Sequence, residues 1–426
     1  MTTQILLNPI GSGGDVFPFL AIGRELQKRG HHVAVMTNRQ FIENVGQAGL
    51  EFIEIGTMEA LRDVSRDPSR HDYHSAWKLA LKWGAVGTMR QSYQVISERV
   101  KKCKTMLVAP CIGLGARIAS EKLRIPLATV VLSPFVIRSV RQSPIIKPMI
   151  LSDWIPAISK RIQLWFADQF FIDPLLKSEI SELRRELGLP PRSRFLHRWC
   201  FSEDLVLALF PEVFAPLQSD WPANTRLTGM VSWDPPVDSQ LKESLDRFIR
   251  PGKKTITVLA GSAGPDSIKF IENWIQATRQ MDSQLILLER NKKMIPSNLP
   301  SHVFHAEFFP MDEAAARSSL VAHSGSVGTT LRSLAAGVPQ IVFPRVNDQP
   351  DNADRVRRLG VGRVVRFDRL EVDQIVSAVT QVMNDQKIAA QCAKRKKELP
   401  DIDAVALSCD LIEAAFALKE HAGRQI

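Results

Sequence analysis

A chain of 426 residues is too long for one ordinary core, so it is expected to fold as two domains of roughly 200 residues each. Apolar residues make up 45% of it and charged residues 23%, which excludes a disordered chain and supplies a sizeable core. The net charge of +10 would suit nucleic acid, an anionic membrane surface or an acidic ligand, but no RNA-binding signature concentrates it and the short basic run KRKKE at Lys394 to Glu398 reads as a solvated helix face, so nucleic acid is not an expected partner.

The opening stretch, MTTQILLNPIGSGGD, has no basic segment followed by a long apolar run, and QILLNPI reads as a first strand rather than a signal peptide. It ends in Gly11, Gly13 and Gly14, after which FPFLAIGRELQKRG has helical periodicity closed by Gly30. HHVAVMT, LEFIEIG, TMLVAP and LATVVLSP continue as strands, with RQFIENVGQAG as a helix among them. Strands alternating with helices imply a mostly parallel sheet covered on both faces.

ILSDWIPAISKRIQLWFADQFFIDPLL, from Ile150 to Leu176, breaks this rhythm, being aromatic, helical in pattern and interrupted by prolines. By itself it reads as a core-facing helical insertion. The functional reading has Trp154, Trp165, Phe166 and Phe170 lining an apolar acceptor site or touching a membrane. The proline-rich text from Pro211 to Asp238 places an interdomain linker in its last part. A second alternating series follows, with strands at TITVLAG, SQLILLE, HVFHAEFF, LVAHS, PQIVFP and VGRVVRF. Each half is therefore expected to be Rossmann-like. Cys103, Cys111, Cys200, Cys392 and Cys409 form no C-x-x-C pair, which argues for a reducing cytoplasm and against a metal centre or disulfide framework. Nowhere do about 18 apolar residues run without a charge, so no membrane-spanning helix is expected.

Ligands of open α/β sheets bind at the carboxyl ends of strands. Three strand exits of the second half carry suitable chemistry. Gly261 and Ser262 follow TITVLA and let backbone amides and a hydroxyl approach an anion. His323 ends LVAH, and SGSVGTT then opens a helix whose first amides point at any phosphate placed there. Asp348 and Gln349 follow QIVFP, where a carboxylate and an amide can bond vicinal hydroxyls. Singly, the first is also the pattern of a turn, the second of a structural histidine and the third of a helix cap. Together they fit a diphosphate flanked by a sugar.

HSGSVGTTLRSLAAGVPQIVFPRVNDQPDNA resembles the donor-site signature of the GT-B fold, family 1 glycosyltransferases, and GSGGDVFPFLAIGRELQKRGHHV resembles the acceptor-side start of the same group. The resemblance spans essentially the whole chain and is strongest to the rhamnosyltransferases of rhamnolipid synthesis and to sterol and antibiotic glycosyltransferases. It implies two Rossmann-like domains facing each other across a cleft: an acceptor domain over 1–225, a linker over 226–240, a nucleotide-sugar domain over 241–402, and a terminal helix over 403–426 that crosses back to the first domain. The implied donor residues are Ser262 and His323 with the backbone of Gly325, Ser326, Val327, Gly328 and Thr329 for the diphosphate, and Asp348 and Gln349 for the sugar. In FFPMDE, Phe308 would stack on the base and Phe309 would offer its backbone. Met311 and Val327 depart from the plant pattern, which has glutamine and asparagine there, so UDP and dTDP both stay open as the carrier.

Asp15 in GSGGDVFP has the spacing of either a helix N-cap or a general base; the resemblance to sterol and vancomycin-type enzymes implies the base. Ser12, Gly13 and Gly14 beside it, with Trp154, Trp165 and Phe170, are the acceptor-side candidates. The scheme implied is a single displacement that inverts the anomeric centre without a metal or other cofactor. The one D-x-D, Asp401 to Asp403, reads as a loop or helix cap. Among rivals, a dehydrogenase lacks a complete G-x-G-x-x-G and an acidic residue after the second strand. An epimerase would need a carboxylate set that is absent, and a non-catalytic nucleotide-sugar-binding relative is disfavoured by Asp15 and His323 occurring together. The acceptor is expected to be apolar or amphiphilic: a hydroxy-fatty acid or lipid, or a polyketide, terpenoid or phenolic natural product. The expected location is the cytoplasm, with peripheral contact at the inner face of a membrane left open.

Overall fold

QILL at the N-terminus is buried throughout, as a strand with neighbours on both sides and helices on both faces must be. The computed structural model describes residues 3–101, 103–149, 151–259, 267–367 and 371–423. Contacts divide the chain into two compact units, Met1–Arg70, His74–Pro235 and Asp401–Ile426 forming the first and His71–Tyr73 with Pro236–Pro400 the second.

The first unit is built on seven parallel strands: β1 (Gln4–Leu7), β2 (His32–Thr37), β3 (Glu51–Glu54), β4 (Thr105–Pro110), β5 (Leu127–Val131), β6 (Leu205–Ala208) and β7 (Thr225–Leu227), in the order β3-β2-β1-β4-β5-β6-β7. Alternate residues serve opposite faces. Ile5, Leu7, Val33, Val35 and Val108 pack with Phe19, Leu20 and Ile22 of α1 (Gly13–Lys28), while Leu6, Ala34, Met36 and Leu107 pack with Ile96, Ala116 and Ala119 on the other side.

The second unit holds six parallel strands: β8 (Thr255–Leu259), β9 (Gln284–Leu288), β10 (Val303–Ala306), β11 (Leu320–His323), β12 (Gln340–Val342) and β13 (Gly362–Val364), in the order β10-β9-β8-β11-β12-β13. Both units are thus parallel α/β sheets of Rossmann type.

Some details differ from the sequence reading. Arg226 and Leu227, expected to open the linker, are the last residues of β7. Neither β6 nor β7 was expected, because LVLA is only four residues long and TRL has no apolar pattern. The final helix, Ala404–Gly423, is capped by Asp403, whose Oδ1 accepts the amides of Val405 and Ala406 at 3.0 Å each. That helix buries Cys409 and Ile412 against α1, and Arg29 bonds Asp410 and Glu413 at 2.6 and 2.7 Å.

Candidate functional site

Three neighbouring strands of the second unit end level with one another. His323, the last residue of β11, is in register with Leu259 at the end of β8 and with Val342 at the end of β12. All three carboxyl ends therefore open on one edge of the sheet. Two helices start from this edge: α2 (Val327–Ala336) after β11 and α3 (Gln349–Leu359) after β12. Ser262, assigned to the exit of β8, lies outside the described residues.

Ser326 is the N-cap of α2, and its hydroxyl donates to Thr329 Oγ1 at 3.0 Å. The amides of Val327, Gly328 and Thr329 form the first turn and have no carbonyl one turn back to donate to. A Cβ added at Gly328 would meet nothing within 4 Å, so there is open space beside these amides. This is the geometry of an anion site at a ten-residue helix, with partial positive charge and unsatisfied donors facing the same space.

His323 does not face that space. It is 1% exposed, its Nδ1 accepts the Gly325 amide at 3.0 Å, and its Nε2 lies 2.9 Å from Gln340 Oε1. An Nδ1 that accepts forces the proton onto Nε2, which donates to Gln340. Burial then holds the imidazole down to about 4, so the ring is neutral at physiological pH. Both ring nitrogens are committed inside the fold, and the ring acts on the loop that follows.

That loop needs glycine. Gly325 has φ +95°, and a Cβ there would come within 3.0 Å of both the Gln349 carbonyl oxygen and Val342 Cγ1. Asn352, on the first turn of α3, donates through Nδ2 to the Gly325 carbonyl and to Asp348 Oδ2, both at 2.9 Å. Asn352 and Gln340 tie the two strand exits together, and neither was singled out from sequence. Only their positions, four residues after Asp348 and opening β12, could have marked them.

Asp348 stands at the N-cap position of α3 without a side-chain cap bond, and Gln349 opens the helix. The Gln349 Oε1 accepts the amides of Arg345 and Val346 at 2.9 and 3.1 Å, shaping its own loop. Past the end of β10, Phe308 is half-buried with the Arg290 guanidinium 5.7 Å from its ring centroid. Phe309 is buried in the core with Met311, which leaves only its backbone for any ligand.

In the first unit, Ser12 is the N-cap of α1 and Asp15 is the third residue of the helix. Asp15 is therefore not the N-cap, because the helix starts earlier than FPFL suggests. Its carboxylate reaches back to accept the Ser12 amide at 2.7 Å and the Ser12 hydroxyl at 2.9 Å. Among the described residues these are its hydrogen bonds, and both fall on Oδ2. Gly11, at φ +132°, makes room, since a Cβ there would overlap Oδ2. Asp15 keeps part of its surface exposed, yet the protein packed around the carboxyl raises its pKa above the ordinary value, and the Ser12 bonds offset this only in part. Gly13 adjoins the Phe17 ring, and Gly14 is exposed.

The segment buries Leu151, Leu164 and Leu176 on one side, while Trp154, Trp165 and Phe170 are not core residues, being 77%, 48% and 58% exposed. The ring contacts of Trp165 and Phe170 are within that segment, to each other and to Phe166.

Two family models match the chain in succession: the glycosyltransferase family 28 N-terminal domain over residues 5–140, and the erythromycin biosynthesis protein CIII-like C-terminal domain over residues 272–402. The chain is 25% identical over 447 residues to O-mycaminosyltylonolide 6-deoxyallosyltransferase of Streptomyces fradiae, covering 96% of this chain and 97% of that one. Its fold is that of the calicheamicin glycosyltransferase CalG4, with a TM-score of 0.72 and 18% identity over 98% of this chain and 99% of the other. It is also that of spinosyn rhamnosyltransferase SpnG complexed with thymidine diphosphate, with a TM-score of 0.64 and 17% identity over 96% and 100% of the two chains. With both models matched in this order and the fold shared along nearly the whole length, the chain is a glycosyltransferase of GT-B fold.

Proposed function

We propose that the protein transfers a hexose from a UDP- or dTDP-linked sugar to a hydroxyl of an apolar or amphiphilic acceptor, inverting the anomeric centre, with Asp15 as general base. The observation that carries this reading is the level ending of β8, β11 and β12 beside the first amides of α2. The diphosphate occupies that helix start, and the thymidine diphosphate in the SpnG complex supports a pyrimidine nucleotide there. Asp348 and Gln349 hold the sugar, and Phe308 packs on the base. His323 is a positioning residue, acting through the Gly325 amide.

Asp15 Oδ1 takes the acceptor hydroxyl proton while the hydroxyl oxygen bonds the anomeric carbon. The bond from that carbon to the diphosphate oxygen breaks in the same step. Negative charge develops on the departing diphosphate and is stabilised by the amides of Val327, Gly328 and Thr329. A raised Asp15 pKa suits this role, because a base is most effective when its pKa approaches the working pH. The enzyme so read is cytoplasmic, and its acceptor is a hydroxylated lipid or a natural product.

A thermal-shift panel of UDP, dTDP, GDP and ADP tests the donor half, since a ligand that binds only the folded state raises the melting temperature. Selective stabilisation by UDP or dTDP is the expected result. A folded protein that answers to none of the four would contradict the donor half of the reading.

A further inference from the structure

Helix α4 (Ala157–Ala167) and helix α5 (Asp173–Glu186), joined by the wider turns of Asp168–Ile172, form an element whose inner side is fully engaged. Leu164 packs with Val140 and Leu151, and Leu176, Ile180 and Leu183 are buried. Lys160 is buried and donates to the Val140 carbonyl at 3.2 Å. Asp168 is completely buried between Arg138 and Arg194, and Asp173 accepts the amides of Arg194 and Phe195 at 2.6 and 3.2 Å. The segment is therefore held in place by its own contacts.

Its outer side is apolar. Eight of the fourteen large apolar side chains exposed among the described residues lie between Trp154 and Leu175, so this is one patch and not the usual scatter. Ile158, Ile162 and Trp165 recur at helical spacing on α4, Trp154 stands in the turn before it, and Phe166 meets Phe170 and Phe171 at ring-centroid distances of 4.4 and 6.1 Å. A small acceptor would need a concave surface to bury it, whereas these rings stand outward on a helix face.

The charges sort by sign over the stretch that carries the rings. From Trp154 to Lys177 both carboxylates, Asp168 and Asp173, are turned inward, while the exposed charges, Arg161 and Lys177, are both cations. Outside that stretch Asp153 is exposed on one side, and on the rest of α5 Glu179, Glu182 and Glu186 are exposed, the last two paired with Arg90. The chain as a whole carries +10. Among the described residues no helix is long and apolar enough to cross a membrane, so any contact with lipid is made from one side.

We infer that the outer face of α4 and of the turns that follow it, as far as Lys177, docks on an anionic lipid bilayer, its rings seated at the headgroup boundary and Arg161 and Lys177 on lipid phosphates. Aromatic and aliphatic side chains give such a face its affinity, and cations direct it to negatively charged surfaces. A second copy of the protein is the competing occupant, and the vesicle and sedimentation measurements below separate it from a bilayer.

Co-sedimentation of the full-length protein with vesicles of pure phosphatidylcholine and of an equimolar phosphatidylcholine–phosphatidylglycerol mixture tests this. Binding to the mixed vesicles is expected, with a blue shift of tryptophan emission and weakening by salt. Ile162→Ser/Phe166→Ser/Phe170→Ser is expected to lower the partition coefficient at least about a hundredfold. Arg161→Gln/Lys177→Gln, which leaves the apolar face intact, is expected to lower it about thirtyfold on the mixed vesicles. Absence of binding to the mixed vesicles, or binding unchanged in both variants, overturns the inference. So does a wild-type dimer in sedimentation velocity that the serine variant converts to monomer without any vesicle binding.

Discussion

The backbone amide of Gly325 donates to Nδ1 of His323 across 3.0 Å, and this one bond fixes the tautomer, the charge and the direction of the imidazole. With Nδ1 accepting, Nε2 must donate to Gln340, and a ring so enclosed cannot take up a proton without losing the Gly325 bond.

Stability should therefore depend on pH in a defined window. The folded imidazole sits near 4 while the unfolded one titrates near its ordinary 6.5, so between these values only the unfolded chain takes up the proton. The contribution of His323 is fully present above 6.5 and is lost as pH falls towards 4, reaching about 3 kcal/mol. His197, also held to about 4 chiefly by burial, acts in the same direction. Urea midpoints at neutral pH and near the lower end of the window should fall less steeply in His323→Asn than in the wild type. Equal slopes would mean that His323 titrates normally.

Gly325→Ala should damage the donor edge. The new Cβ would press on the Gln349 carbonyl and Val342 in a backbone conformation that L-residues avoid, at a cost of about 1–3 kcal/mol. Calorimetry should show weaker nucleoside diphosphate binding together with a lower melting temperature. Unchanged affinity would separate this loop from the nucleotide.

Asn352 offers a graded test. Asn352→Ala leaves the Gly325 carbonyl without this donor, costing about 1–3 kcal/mol. Asn352→Asp should do more harm, because its carboxylate would face both the Gly325 carbonyl and the Asp348 carboxylate. Melting temperatures in the order wild type, Ala, Asp check this, and the reverse order of the two variants would contradict it.

Much of the architecture was legible because parallel strands buried on both faces write themselves as continuous apolar runs: QILL, LATVV and LVAH each became a strand. TRL did not, since a three-residue edge strand leaves no periodic trace. That β8, β11 and β12 end at successive exits was legible, for glycine and helix-start chemistry are local. The role of His323 was not, because whether a ring points to a ligand or into the fold depends on a partner, Gln340, supplied by the next strand. The start of α1 was read about one turn late for a related reason: Ser12 starts the helix within glycines that by propensity would belong to the loop. The outward turn of Trp165 and Phe170 was open to two readings, since helical spacing alone does not say which face is buried.

The most direct measurement is sugar transfer by wild type and Asp15→Asn from UDP- and dTDP-hexoses to a panel of hydroxylated amphiphiles, with product configuration read by NMR. The account predicts an inverted product from the wild type and a fall in kcat of about a hundredfold or more in Asp15→Asn, with nucleoside diphosphate affinity unchanged by calorimetry. A retained configuration, or equal turnover by the two proteins, would contradict it.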